Sequence, residues 1–323
     1  MSTAIEIRKQ LEKTRTPFEV DLYLPLIEKI NRLKKEKNAV LLVHHYQLPE
    51  IYHGVADFRG DSLGLSREAG KVKCERIVFC GVYFMAETAK LLNPQCKVLI
   101  PDPEAGCSLS ESITVEDVRR LKKQYPGVPV VCYVNTTAAI KAESDVCCTS
   151  SNAAKIVERL PGNEAILIPD AYLAQNVAAQ TKKKVYYHEG RCMVHEQFTV
   201  EDVAAFRKQH VGVRVMAHPE CRPDVVQASD FSGSTSAMID FVRKDPAKKW
   251  MLITECGMSD NVRPLFPDRE FVGPCTMCPH MKKITLEKIL RSLEEDVFEV
   301  TLPEEIVLPA RRAVERMLIS CEM

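Results

Sequence analysis

The sequence has no excess of either charge and no long hydrophobic run. Lys plus Arg and Asp plus Glu number 44 each, so the net charge is zero and neither a nucleic-acid partner nor an anionic membrane is predicted. No window approaches the roughly 18 consecutive apolar residues that a membrane span needs. The N-terminal stretch MSTAIEIRKQLEK has no apolar core of the length found in signal peptides. We therefore expect a cytoplasmic protein without a membrane partner.

Cysteine, by contrast, is plentiful. The chain has 13 cysteines in 323 residues, and its 46% hydrophobic and 27% charged residues suit a large buried core and two or three domains. In a cytoplasmic protein, disulfide bonds are not expected to hold the fold together. Most of these thiols are expected to be buried as small apolar groups. Their spacing identifies the exceptions.

One short segment occurs three times. Residues 114–118 read TVEDV, residues 199–203 repeat the same letters, and residues 285–289 read TLEKI, so the copies are 85 and 86 residues apart. Each copy predicts a helix start, because the threonine can cap the first turn and the acidic residue after it suits the positive end of the helix dipole. A similar amphipathic stretch at 26–37 lies one period before the first copy.

Each repeat also contains three short apolar strands. They are predicted at 39–43, 76–80 and 97–100, at 128–134, 165–168 and 184–187, and at 213–217, 250–254 and 270–272. Helices between them give the order β-α-β-α-β, which indicates parallel sheets covered on both faces. We therefore predict an α/β fold class with three pseudo-symmetric three-layer α/β domains, each with a short parallel sheet, around a shared central site. The predicted ranges are 1–113, 114–198 and 199–284, followed by 285–323, a helix-strand-helix extension that packs on the core.

Cys107, Cys192 and Cys278 have the same spacing as the repeat, 85 and 86 residues. Ligands of parallel α/β sheets bind beyond the carboxyl ends of the strands, where we expect these three thiols to converge. Three thiolates fit a [4Fe–4S] cluster that keeps one iron open as a Lewis acid, whereas tetrahedral zinc would need a fourth ligand. The open alternatives are a zinc-dependent hydrolase or lyase that adds His195 to the three thiols, and a non-catalytic scaffold with a structural metal.

The same strand ends carry polar residues. After the first strand of each unit come His44 and Tyr46, Tyr133 and Asn135, and His218 and Glu220, and at the next helix start come Ser62, Ser150, Ser234 and Thr235. Hydroxyls and free N–H groups at a helix start favour carboxylate or phosphate, although ordinary helix capping accounts for any single one. Imidazole, phenol and carboxylate groups are candidate acids and bases. The pattern predicts an anion-binding pocket equipped for proton transfer.

Cys275 and Cys278 form a C-x-x-C without a second pair at zinc-finger spacing. If Cys278 binds a cluster, Cys275 is a spare neighbour. We hypothesise that the two form a disulfide bond when the cluster is lost.

Together these motifs resemble quinolinate synthase. The segments that carry the resemblance, spread over about 24–303, include VHHYQLPEI, GVYFMAETAKLLNP, AGCSL, CYVNTT, CTSSNA, AHPEC, GSTS and CPHMKKITLEKIL. The resemblance implies three α/β domains around one [4Fe–4S] cluster with three cysteine ligands. It also implies the condensation of iminoaspartate (iminosuccinate) with dihydroxyacetone phosphate to quinolinate, phosphate and water in NAD synthesis, with a separate aspartate-oxidising enzyme as the supplier.

The resemblance also implies a role for each predicted site residue. Cys107, Cys192 and Cys278 match the cluster ligands. Substrate contacts are implied for His44, Ser62, Tyr133, Asn135, Ser150, His218, Glu220, Ser234 and Thr235. Catalytic roles are implied for Glu220, Tyr46 and His218, with Glu220 as the base and the open iron assisting the last dehydration.

Overall fold

The first of three repeated units is built on a short parallel sheet. The computed structural model describes residues 4–320. The strands of this unit are β1 (Ala39–His44), β2 (Phe58–Gly60), β3 (Arg76–Cys80) and β4 (Lys97–Leu99). Its helices are α1 (Ala4–Leu11), α2 (Pro17–Glu36), α3 (Pro49–Gly54), α4 (Ser62–Ala69), α5 (Tyr83–Leu92) and α6 (Ser108–Glu111).

The second and third units repeat this plan. The second contains α7 (Val115–Gln124), β5 (Val130–Tyr133), α8 (Ala138–Ala142), β6 (Val146–Cys148), α9 (Ala153–Arg159), β7 (Glu164–Ile168), α10 (Ala171–Ala178) and β8 (Lys184–Tyr187). The third contains α11 (Val200–Gln209), β9 (Arg214–Ala217), α12 (Pro223–Gln227), β10 (Phe231–Ser232), α13 (Thr235–Lys244), β11 (Lys249–Ile253), α14 (Gly257–Val262) and β12 (Glu270–Val272). Two further helices, α15 (Leu286–Glu295) and α16 (Glu304–Ile319), complete the described part of the chain.

All three sheets share one topology. Their strand orders are β2-β1-β3-β4, β6-β5-β7-β8 and β10-β9-β11-β12, and every paired strand is parallel. The predicted α/β class with short parallel sheets is confirmed. The edge strands β2, β6 and β10 had not been predicted, because each is only two or three residues long and leads directly into the turn that was assigned to the next helix start. Each sheet lies within one of the three predicted domain ranges.

The repeated TVEDV segments do begin helices. Thr114 and Thr199 accept a hydrogen bond from the backbone N–H three residues on, and the carboxylates of Asp117 and Asp202 each accept one from the threonine N–H. The third copy keeps only the threonine cap at Thr285, since a lysine replaces the aspartate. The local sequence is therefore sufficient to start all three helices.

The last two helices close the arrangement. The third copy of the repeated helix, α15, packs against α2 of the first unit, and α16 packs on α5 of the first unit and on α8 and β6 of the second. The prediction of a strand between these two helices is wrong, because the described residues contain none there. It is reduced to one antiparallel bridge between Leu99 and Glu299, with Val300 N–H donating to Val98 C=O at 2.8 Å. Both helices of the extension pack on the first unit, and α16 also packs on the second.

The core follows from strands that are buried on both faces. Leu41, Leu42 and Val43 of β1 are fully buried, as are all side chains of β5, which is the pattern of a parallel sheet between two helical layers. Among the described residues, no helix combines the length and hydropathy needed to cross a membrane. The three sheets direct the carboxyl ends of their strands towards the residues described next.

Candidate active site

One cavity collects side chains from all three units. It contains about 710 Å³ of space, part of which is open to solvent. The predicted residues that line it are His44, Tyr46, Ser62, Cys107, Tyr133, Asn135, Ser150, Cys192, His218, Glu220, Thr235 and Cys278. Every predicted site residue except Ser234 therefore reaches one place, at the strand ends where ligands of such sheets bind.

The three cysteines begin three equivalent turns. The carbonyl groups of Cys107, Cys192 and Cys278 each accept the N–H of the residue four positions on, at 3.0, 3.0 and 3.2 Å. Each turn is also joined to the end of a strand in the same way. The N–H groups of residues 83, 171 and 256 donate to the carbonyl oxygens of residues 105, 190 and 276, which lie two positions before each cysteine. The spacing seen in the sequence thus reflects one local structure used three times.

The same turns direct N–H groups at the sulfur atoms. Burial raises the pKa of all three thiols, that of Cys107 to about 12, while the N–H groups two and three residues after each sulfur oppose that rise. Three partly buried thiols with backbone donors aimed at them suit a positively charged metal group, which keeps thiolates deprotonated. The residues present therefore fit a thiolate-bound metal or iron–sulfur group.

Glu220 is the carboxylate at the centre of the site. It is buried, and its Oε1 accepts hydrogen bonds from the Tyr133 hydroxyl at 2.5 Å and the Asn135 side chain at 3.3 Å. Its Oε2 lies 2.7 Å from His195 Nδ1. Burial by itself raises the pKa of Glu220, but His218, His195 and the Tyr133 hydrogen bond outweigh it and hold that pKa below the usual range. Glu220 is therefore an ionised carboxylate at neutral pH.

His195 contacts both the carboxylate and a thiol. Its Nδ1 lies 3.1 Å from Cys192 Sγ, and its Nε2 lies 2.9 Å from Thr254 Oγ1. Donor atoms of Cys192, His195 and Glu220 are within 4.8 Å of one another, a spacing that allows a metal ion to bind. Thr254 Oγ1 also lies 2.5 Å from the Tyr46 hydroxyl, so one threonine joins the tyrosine to the imidazole. Burial and the charge of Glu220 raise the pKa of Tyr46, which keeps its hydroxyl protonated.

His44 and His218 are held in the same way at equivalent strand ends. The Nδ1 of His44 accepts the Tyr46 N–H at 3.2 Å, and the Nδ1 of His218 accepts the Glu220 N–H at 3.3 Å. Burial lowers the pKa of His44 to about 3 and that of His218 to about 4. Both rings are therefore neutral, and because Nδ1 accepts, the proton lies on Nε2. Each ring can donate one hydrogen bond from Nε2.

The hydroxyl groups divide into two sets. Ser62, Ser150 and Thr235 line the cavity. Ser234 lies behind it, where it caps α13 and donates to Asp61 Oδ2 at 2.9 Å. His45 Nδ1 lies 2.7 Å from Thr235 Oγ1 and so holds that hydroxyl from the first unit. Ser234 consequently supports its neighbour instead of lining the cavity.

Several cavity residues were missed by the sequence reasoning. The cavity lining also includes Asp61, Glu255 and His280, and Thr254 bonds to His195 beside it. An alignment of the strand ends of the three units could have indicated Thr254 and Glu255. Among the described residues, the buried atoms Asn135 Oδ1 and His280 Nδ1 have no hydrogen-bond partner. Buried polar groups are normally paired, so two such atoms in one cavity indicate where a polar ligand binds.

The disulfide hypothesis needs correction. The structure joins Cys275 to Cys256, and Cys278 is a free thiol. One disulfide bond is therefore present, and the expectation that disulfide bonds do not hold the fold together stays a prediction. Cys147 and Cys148, by contrast, are fully buried in β6 and act as small apolar residues.

Three repeated α/β units that enclose one cavity with thiol, imidazole and carboxylate groups define an α/β enzyme whose site can hold a metal. The sequence model of the family described as "NadA: Quinolinate synthetase A protein" matches residues 28–319, most of the chain. The chain belongs to the quinolinate synthase family.

Individual relatives agree with that family over nearly their whole length. The chain is 56% identical over 307 residues to the quinolinate synthase of Xylella fastidiosa (strain 9a5c), covering 95% of this chain and 89% of the relative. It is 55% identical over 301 residues to the quinolinate synthase of Sinorhizobium fredii (strain NBRC 101917 / NGR234), covering 93% and 84%. It is 52% identical over 318 residues to quinolinate synthase 1 of Mesorhizobium japonicum (strain LMG 29417 / CECT 9101 / MAFF 303099), covering 98% of each.

Proposed function

We propose that this chain condenses iminoaspartate with dihydroxyacetone phosphate to give quinolinate, phosphate and water, and that it carries one [4Fe–4S] cluster. The observation that carries the proposal is the set of three equivalent cysteine turns around one cavity, in a chain of this family. The cytoplasmic location and the supply of iminoaspartate by an aspartate-oxidising enzyme remain predictions from the sequence.

Cys107, Cys192 and Cys278 would hold the cluster. With three thiolate ligands one iron keeps an open position, and such an iron supplies Lewis-acid chemistry when the cluster is bound. The backbone N–H groups aimed at each sulfur stabilise the thiolate form that such a ligand needs.

Substrate anions would bind at the helix starts. Ser62, Ser150 and Thr235 contribute hydroxyl groups to the cavity, each near the first turn of a helix. The Nε2–H groups of neutral His44 and His218 add two donors without adding charge. Both substrates carry carboxylate or phosphate groups, so donors contributed by three units allow two anions to be held at once and oriented towards each other.

Proton transfer would fall to Glu220 and Tyr46. Glu220 is ionised and held by Tyr133 and Asn135, so it can accept a proton beside a carbonyl or imine carbon. Tyr46 is protonated and can donate one, with Thr254 and His195 connecting it to Glu220. His218 orients the Glu220 backbone and donates to substrate.

A metal hydrolase is the second candidate function. The cluster of Cys192, His195 and Glu220 favours it, because those three donor types can hold a single zinc ion. The two functions differ in the metal bound and in whether Cys107 and Cys278 are needed.

The test is metal analysis of protein purified without oxygen. We expect about four irons and four sulfides per chain, lost in Cys107→Ala, Cys192→Ala and Cys278→Ala. Cys74→Ala is the matched control, since Cys74 is also partly buried but lies outside the cavity. Quinolinate formation from the two substrates should follow the iron content across this series. Zinc in place of iron, or iron retained in all three variants, would refute the proposal.

A further inference from the structure

Glu255 is a buried carboxylate that connects three parts of the third unit. It follows β11, it is 1% exposed, and it lines the cavity. Its Oε1 accepts the backbone N–H of Cys278 at 3.2 Å and lies 2.9 Å from Lys282 Nζ, and its Oε2 accepts the Gly257 N–H at 2.7 Å. The carboxylate therefore holds the start of the cysteine turn and the lysine four residues further along it.

The same lysine reaches across to the first unit. Lys282 Nζ donates to the backbone carbonyl of Tyr46 at 2.5 Å, while its own N–H closes the Cys278 turn at 3.2 Å. One side chain thus connects the turn that carries the third thiol to the loop that carries the catalytic tyrosine. Two elements separated by more than 200 residues in sequence share this single cation.

Other contacts show that the third unit holds the Tyr46 loop closely. Asn261 donates to the carbonyl groups of His45 at 2.8 Å and Gln47 at 2.6 Å. A Cβ atom at Gly257 would lie 2.7 Å from Lys282 Nζ and 2.8 Å from the Tyr46 carbonyl oxygen. Only a glycine leaves room for the lysine to pass between these groups.

The other two units lack this connection at the equivalent places. The residues that match Glu255, one position before each N–H that joins a cysteine turn to a strand end, are Val82 and Asp170. Val82 has no polar side chain, and Asp170 caps α10 through the Tyr172 and Leu173 N–H groups. The residues that match Lys282, four positions after Cys107 and Cys192, are Glu111 and Glu196. The ionic connection is a feature of the third unit.

We propose that Glu255 and Lys282 are positioning residues, which hold the Cys278 turn and the Tyr46 loop so that thiol and phenol reach the same cavity. The proposal rests on the proposed function for the roles of Cys278 and Tyr46. Neither Glu255 nor Lys282 is required to touch a reacting atom. Removing either one should free the third cysteine turn while the other two stay closed.

The experiment measures cysteine accessibility in the metal-free, reduced full-length protein. Brief alkylation with iodoacetamide, followed by peptide mass spectrometry, gives a rate for Cys278 with Cys107 and Cys192 as references in the same molecule. In Lys282→Met we expect the Cys278 rate to rise about ten- to a hundred-fold, the change in local opening that loss of a charge-assisted hydrogen bond gives. Loss of a nearby positive charge by itself slows thiolate chemistry, so a faster reaction reports opening of the turn.

Four further variants complete the design. Lys283→Met is the matched control, because that neighbouring lysine pairs with the exposed Glu104 on the surface. Glu255→Gln should also raise the Cys278 rate, but because loss of that negative charge by itself lowers the Cys278 pKa, the opening of the turn is read from Lys282→Met. The double variant should not be much faster than the faster of the two single variants, since both disrupt the same ion pair. Lys282→Arg should restore most of the protection. The cluster-loaded Lys282→Met enzyme should lose kcat through the displaced Tyr46 loop, while KM changes less.

Two results would overturn the proposal. One is a similar rise in rate at all three cysteines, which would show a general loosening of the fold. The other is a Cys278 rate in Lys282→Met that equals that of Lys283→Met. Because the measurement is made without metal, its outcome is independent of the iron and sulfide analysis that tests the proposed function.

Discussion

Tyr133→Phe isolates one hydrogen bond to the central carboxylate. The substitution removes only the hydroxyl that donates to Glu220 Oε1 at 2.5 Å, and leaves the contacts of Glu220 with Asn135 and His195 in place. A hydrogen bond to a charged group contributes about 1.5–3 kcal/mol, so the free energy of unfolding of the metal-free protein should fall by that amount at pH 7. One pKa unit corresponds to about 1.4 kcal/mol, so the pKa of folded Glu220 should rise by about one to two units in the variant.

The pH dependence gives the prediction its sign. The pKa of folded Glu220 lies below its unfolded value of 4.5, so its ionised contacts stabilise the protein above pH 4.5, and that stability is lost as the pH falls through the folded pKa. Protonation of Glu220 in the unfolded chain is common to both proteins, so the difference between wild type and Tyr133→Phe should stay constant from about pH 7 to about pH 4. It should narrow only as the pH falls through the folded pKa values, which lie below the usual carboxylate range.

Urea unfolding followed by tryptophan fluorescence measures this difference. Trp250, the single tryptophan of the chain, is fully buried in β11 and reports on the third unit, which also carries Glu220. Tyr125→Phe is the control, because that hydroxyl accepts a bond from Gln124 on the surface and should change stability by less than about 0.5 kcal/mol. A Tyr133→Phe effect as small as that of Tyr125→Phe would refute the reasoning, as would a difference that already narrows between about pH 7 and about pH 5.

Three other predictions use single local features. Thr199→Ala removes a helix cap and should lower the free energy of unfolding by about 1 kcal/mol, measured from the midpoint of urea unfolding. Gly257→Ala places a Cβ atom 2.7 Å from two side-chain atoms and should lower the free energy of unfolding by about 1–3 kcal/mol. Gly70→Ala is the control, because its Cβ atom would lie 3.7 Å from the nearest atom and should change stability little. Equal shifts in melting temperature for the two variants would contradict the packing argument. The pKa values of His44 and His218 are lowered to about 3 and about 4, so the unfolded chain binds protons that the folded chain does not. The free energy of unfolding should therefore fall as the pH drops from about 6.5 to about 4. NMR titration of the two imidazole rings checks this, and resonances that titrate near pH 6.5 in the folded protein would contradict it.

The repeat was readable from the sequence because its signals are local. A threonine followed by acidic residues favours a helix start, as at Thr114, and uninterrupted apolar runs such as 39–43 favour strands buried on both faces. Since the three cysteines follow these elements at constant spacing, equivalent positions in the units could be aligned. That alignment predicted the cavity at the strand ends and all but one of the residues that were expected to line it.

What the sequence could not determine are contacts between distant units. The position of Ser234 behind the cavity depends on Asp61, 173 residues away, and the link from Lys282 to Tyr46 spans 236 residues. Such contacts arise only when the packed units bring separate loops together, and no local periodicity or cap encodes them. The sequence therefore determined the three units and the chemistry of their strand ends, and the tertiary structure decided which of those groups bind one another and which are left to meet a ligand.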